Sequence, residues 1–135
     1  MSEPGNLVHT IQIPLRWADQ DANGHANNTV YFRLFEEARV TWLASENMGR
    51  KTGDIGPIIV TTSATFLKEL NYPATLEVKT YAGKVGNTSL ETWHDVVDAT
   101  TGAKYAEGYA KIVWFDYSKR TSVPVPDKLR AKGIA

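Results

Sequence analysis

Seven short polar or flexible residues crowd one stretch of the chain: Asp19, Asp21, Asn23, Gly24, His25, Asn27 and Asn28. An apolar pattern of helical period begins directly after them. Two carboxylates and an imidazole beside a helix start are the parts of an acyl-transfer site. A helix start presents free N–H groups and the positive end of the helix dipole. Such a place can hold a carbonyl oxygen as it becomes an oxyanion. A carboxylate a few residues upstream can attack that carbonyl or activate a water. His25 can donate a hydrogen bond or position a substrate. The same residue types also have a plainer use. Asp and Asn before a helix cap it and build turns, and a loop histidine is often only solvated. From the residues alone, the stretch is a candidate site without a named reaction.

The elements that must position this stretch are legible from periodicity. Leu7, His9, Ile11, Ile13, Leu15 and Trp17 share one side of a strand, and Pro14 marks that strand as an edge or a bend. From Asn28 the period becomes helical, with Tyr31, Leu34, Phe35, Ala38, Thr41, Trp42 and Ser45 on one stripe. The stripe reads as core, and its first turn can serve a pocket as well. The helix is expected to run to about Met48, with Gly49 as its stop. About twenty residues at ~1.5 Å each span roughly 30 Å, enough to cross a small domain. Four strand-like runs follow, at 57–70, 76–80, 89–98 and 104–117, with short turns between them. Such connections imply antiparallel neighbours. In the last run Ala106, Gly108 and Ala110 share one side, where small residues let a helix approach closely. Tyr105, Tyr109, Val113 and Phe115 take the other side. One helix cannot cover both faces of a five-stranded sheet, so a second subunit is expected to cover the remainder.

Bulk composition narrows the chemistry. A chain of 135 residues is one domain by default and can bury a core without staples. With no cysteine there is no disulfide, thiolate nucleophile or zinc-thiolate site. Lys plus Arg equals Asp plus Glu at 15 each, so nothing global attracts nucleic acid or an anionic membrane. Near-zero charge also suits self-association. There is no G-x-S-x-G elbow and no Gly-rich phosphate loop. His9, His25 and His94 lack metal-ligand spacing, so no metal is expected. No apolar run reaches the ~18 residues of a membrane span. The opening MSEPGNL lacks the basic and apolar regions of a signal peptide, so a cytoplasmic protein is expected.

The pattern Asp19-x-Asp21-x-x-Gly24-His25-x-Asn27-Asn28-x-x-Tyr31, followed by Phe35-Glu36-Glu37-Ala38-Arg39, resembles the 4-hydroxybenzoyl-CoA thioesterase-like group of hotdog-fold acyl-CoA thioesterases. The resemblance covers most of the chain and includes Phe66-Leu67-Lys68-Glu69-Leu70 and Gly86-Asn87-Thr88-Ser89-Leu90. It implies a single α+β hotdog domain over residues 1–135, with 1–6 and 121–135 as surface or flexible tails. A long central helix would be wrapped by a five- or six-stranded antiparallel sheet. It also implies a homodimer or homotetramer with sites at the subunit interface, and an acyl-CoA substrate whose coenzyme A is the only cofactor-like group. By the resemblance Asp21 is the catalytic nucleophile or general base, and the Asn28 backbone N–H polarises the thioester carbonyl. His25 and Asn27 line the site, Asp19 shapes the loop, and Tyr31 and Phe35 line the acyl pocket. Some relatives carry a glutamate near Val60-Thr61-Thr62. Here only threonines stand there, so Thr61 is expected to orient a water and more weight falls on Asp21. Lys68, Lys84 and Lys119-Arg120 are the candidate cations for the coenzyme A phosphates. Two rival readings stay open: a hydratase-dehydratase acting on enoyl or hydroxyacyl thioesters, and a non-catalytic oligomeric module that binds acyl thioesters.

Overall fold

The computed structural model describes residues 5–48 and 53–134. Strand β1 (Asn6–Pro14) leads through a 3-10 turn at Trp17–Asp19 to helix α1 (Asn28–Ser45). Strands β2 (Ile55–Phe66), β3 (Thr75–Val85), β4 (Ser89–Asp98) and β5 (Lys104–Asp116) follow, then a short β6 (Thr121–Ser122) and α2 (Asp127–Arg130). The strands pair antiparallel in the order β1-β3-β4-β5-β2, with β6 added beside β5. Helix α1 packs on one face of this sheet, against β1, β3 and β5. This is the hotdog arrangement that the resemblance implies. Among the described residues no helix is long and apolar enough to cross a membrane.

The helix starts where its cap chemistry says. The Asn27 side chain accepts the backbone N–H of Thr29 at 2.9 Å. Its end comes earlier than expected, at Ser45. Asn47 takes φ 59, and the amides of Asn47 and Met48 return to the carbonyls of Ala44 and Leu43. That double return closes the last turn as a glycine commonly does. Gly49, the expected stop, lies outside the described residues. The buried stripe is wider than the periodicity suggests, since Arg39 and Leu43 join it at 9% and 4% exposure.

Two bulges change which residues face inward. In β1 the register shifts between Leu7 and His9, so Leu7 is exposed while Ile13 and Leu15 stay buried. Trp17, expected on the same side, sits in the 3-10 turn and is 72% exposed. In β2 the shift falls between Ile59 and Thr61. An extra residue reverses the facing of everything beyond it.

The core under α1 depends on one close approach. A Cβ built on Gly108 would lie 2.5 Å from ring carbons of Phe35. Phe35 in turn stacks on the His94 imidazole, with centroids 5.4 Å apart and planes at 9°. His94 is 1% exposed and its Nδ1 meets Thr80 Oγ1 at 3.2 Å. Burial first, and the charge of Arg39 second, push His94 down to about 3. The segment expected as a surface or flexible tail is anchored over the other half of the core: Val125 and Leu129 are buried, and the Val125 amide donates to the Asn87 carbonyl. Apolar side chains on a segment with its backbone bonds satisfied hold it down.

Two outcomes follow for stability. Gly108→Ala should cost about 1–2 kcal/mol, because Phe35 is held against His94 and cannot yield. A lowered urea midpoint, partly restored by adding Phe35→Leu, checks this. His94 stays neutral when folded, whereas the unfolded chain takes up a proton below about pH 6.5. Stability should therefore fall as pH drops from about 6.5 towards 4. His94→Phe should flatten that slope by roughly 1 kcal/mol per pH unit, measured by denaturant melts across the range.

Candidate active site

The polar stretch folds into a tight loop before α1. Gln20 and Ala26 form an isolated antiparallel bridge. The Asp21 amide donates to the His25 carbonyl at 2.8 Å, and the Gly24 amide donates to the Asp21 carbonyl at 3.0 Å. Gly24 has φ +79, and an added Cβ would meet nothing within 4 Å, so conformation and not space demands glycine there. The Asp21 carboxylate accepts the Asn23 amide at 2.9 Å and is otherwise open to solvent. Two backbone bonds then fix the approach to the helix: Ala26 N–H to the Leu70 carbonyl at 2.8 Å, and Asn27 N–H to the Asp19 carbonyl at 3.0 Å.

Asp19 is the anchor of this loop. It is 2% exposed. Its carboxylate accepts the Arg16 backbone amide at 2.9 Å, the Arg16 guanidinium at 2.8 and 3.1 Å, and Arg33 of α1 at 2.9 Å. Burial alone would raise its pKa, but the hydrogen bonds from Arg16 and the charges of Arg33 and Arg16 outweigh that and hold it below the usual range. Its charge is thus committed to structure, in line with a loop-shaping role.

Beside the helix start lies an open cavity of about 330 Å³, lined by His25, Ala26, Asn28, Tyr31 and the segment 66–70. Tyr31 packs its ring on Phe66 with centroids 4.9 Å apart. Burial first, then Tyr105, raise the Tyr31 phenol, so it stays neutral. His25 Nε2 stands 3.3 Å from Glu69 Oε2. Asn27 satisfies Thr29 with its side chain and Val30 with its carbonyl, while Asn28, the first helical residue, holds its N–H at the open end of the helix. The arrangement sets a helix amide and an imidazole at one cavity, with the Asp21 turn bonded to His25.

The structure separates the expected site residues. His25, Asn28 and Tyr31 line one cavity. Asp21 occupies the adjoining turn. Asn27 caps the helix and lines a second cavity, with Arg16, Asp19 and Arg33. Phe35, expected in the acyl pocket, is instead core: it is 1% exposed, one helical turn beyond Tyr31 and pressed between Gly108 and His94. Thr61, expected to orient a water, lies outside this cavity. The β2 bulge pairs it with Lys111, on the sheet face opposite α1. Opposed residues share a face, and Lys111 alternates with the buried Ala110 and Ile112. Of the candidate cations, Lys68 lines the cavity. Glu69 carried no role in the sequence reading. Its only signal there was membership of the Phe66–Leu70 motif, and the Ala26–Leu70 backbone bond is what brings it to His25.

The thioesterase-like superfamily matches this chain over residues 15–133. The PA2801 protein of Pseudomonas aeruginosa, "a putative Thioesterase", is 40% identical, with a TM-score of 0.88 over 93% of this chain and 98% of its own. "A putative acyl-CoA thioesterase from Xanthomonas campestris" is 28% identical, with a TM-score of 0.76 over 82% of this chain and 95% of its own. The 1,4-dihydroxy-2-naphthoyl-CoA thioesterase Slr0204 of Synechocystis, at 18% identity, shares the fold with a TM-score of 0.81 over 92% of this chain and 93% of its own. No curated protein matches the chain. With the polar loop, the helix and the whole sheet from β2 to β6 inside the matched span, the chain belongs to the thioesterase-like superfamily.

Proposed function

We propose that this thioester hydrolase acts on acyl-CoA, releasing a free acid and coenzyme A, and that it falls in the 4-hydroxybenzoyl-CoA thioesterase-like group. The observation that carries the reading is the grouping at one end of α1. An exposed carboxylate turn is bonded to the His25 backbone, and His25 shares a cavity with the first helical residue. The thioester oxygen accepts the Asn28 N–H, which stabilises the charge that develops there. Asp21 attacks the carbonyl carbon, or takes a proton from the water that attacks it. The C–S bond then breaks, and the coenzyme A sulfur leaves as thiolate and takes up a proton; on the nucleophilic route water next hydrolyses the acyl–Asp21 anhydride, releasing the acid and restoring the carboxylate. One water is consumed, and one acid and one thiol form; no further cofactor takes part. Tyr31, Phe66 and Leu67 offer apolar surface to the acyl group, Lys68 a cation to the coenzyme A phosphates, and Asn27 contributes by capping the helix.

The functional unit in this reading is a homodimer joined sheet edge to sheet edge, with tetramers above it and sites at the interface. Strand β2 supports it: a 12-residue edge strand whose Ile59, Val60 and Phe66 are 41%, 52% and 45% exposed. Unpaired backbone groups on a long apolar edge favour the addition of another strand.

Thiol release should be measured against acyl-CoAs of graded length, benzoyl and phenylacetyl thioesters, and a carrier-protein thioester. Asp21→Asn should lower turnover by more than about 100-fold. Asn28→Ala should cost less than about tenfold, since its part is played by the main chain. Near-normal hydrolysis by Asp21→Asn would overturn the assignment. Light scattering at micromolar concentration should report a dimer or larger, and a monomer would contradict the interface.

A further inference from the structure

The Phe66–Leu70 segment brings a second carboxylate to the cavity. Glu69 Oε2 lies 3.3 Å from His25 Nε2, and both residues line the same space as Asn28 and Tyr31. The backbone sets this pairing, because the Ala26 N–H donates to the Leu70 carbonyl at 2.8 Å and so places residue 25 beside residue 69. As a contribution to folding the contact is slight. The side chains are 41% and 64% exposed, and pairs so open to water are worth about 0–1 kcal/mol. Its position at the cavity wall is what distinguishes it from a surface ion pair.

We propose that Glu69 is a positioning residue for His25. It accepts a hydrogen bond from Nε2–H, fixes the neutral imidazole as the Nε2–H tautomer, and leaves Nδ1 as the acceptor. A carboxylate behind an imidazole is a recurrent way of setting which ring nitrogen is free. The contact closes to a full hydrogen bond when substrate covers it, as such bonds often tighten in the complex. With Nδ1 free, His25 accepts a hydrogen bond from the hydrolytic water and turns the water's lone pair towards the carbonyl carbon. His25 transfers no proton in this role. The inference rests on the thioesterase reading of the same site.

Two measurements test it, and the first needs no activity. Long-range proton–nitrogen NMR spectra of the 15N-labelled full chain at about pH 8, where imidazoles are neutral, report the tautomer of each histidine. The His25 signals are assigned by their loss in His25→Ala. The wild type should show mainly Nε2–H, and Glu69→Ala should shift the population towards Nδ1–H. Equal populations in the two proteins would overturn the proposal. In the second measurement, Glu69→Ala should lower kcat about tenfold with KM within about twofold, on the scale of losing an orienting partner. Glu69→Gln, which keeps an acceptor oxygen, should recover most of that loss. In a His25→Ala background, Glu69→Ala should have no further effect. A rise in KM alone, or an undiminished loss in that background, would show that Glu69 acts without His25 and overturn the role. If the wild type releases no thiol from any substrate, the thioesterase reading fails, while the NMR result still decides whether Glu69 sets the tautomer.

Discussion

The contact between α1 and β5 sets the geometry of this protein. Ala106, Gly108 and Ala110 form a side-chain-poor track on the inner face of the sheet, and the Phe35 ring fills the space that a Cβ at Gly108 would occupy. That depth lets Leu34, Ala38 and Trp42 bury completely against the sheet. It also holds the 18-residue helix as a rigid spoke of roughly 27 Å, so its start is delivered to a defined place at one end of the sheet. A larger side chain on the track would lift the helix, and the cavity beside its first turn would lose its wall.

At that end the polar residues divide their work. Asp19 is neutralised by Arg16 and Arg33 and ties the loop to the helix. Asn27 satisfies the early amides. Gly24 supplies a left-handed turn. The Asp21 carboxylate accepts the Asn23 amide and, among the described residues, stays exposed, unlike Asp19. Two carboxylates two residues apart thus have opposite environments. A buried carboxylate must be matched by cations and hydrogen bonds, whereas an exposed one need not be.

Much of this was readable in the sequence because it is local. The change of period at Asn28 marks the helix start, and the small residues of the fourth strand-like run mark the face that meets it. The misplaced residues share a different cause. Phe35 lies on the same stripe as Tyr31, and periodicity cannot say which turn of a stripe reaches the cavity and which stays in the core. Leu7 follows strand alternation and Thr61 rests on the resemblance, but one extra residue in each strand reverses their facing. Such a bulge is decided by the partner strand and leaves no mark in the strand's own pattern. The helix ends before Met48 because Asn47 adopts the left-handed conformation that closes the turn, a role the local pattern assigns to a glycine.

The sequence by itself therefore determined the order of elements, the capped helix start and the identity of the polar loop. Each of these rests on interactions between residues only a few positions apart. The tertiary structure alone decided that Glu69 meets His25, that Asp19 also meets Arg33, and that Phe35 packs in the core while Thr61 lies outside the cavity beside the helix start. These depend on backbone bonds such as Ala26–Leu70, on strand register and on packing across the core, which join residues far apart in the chain. No local periodicity carries information about which distant segment will supply the partner.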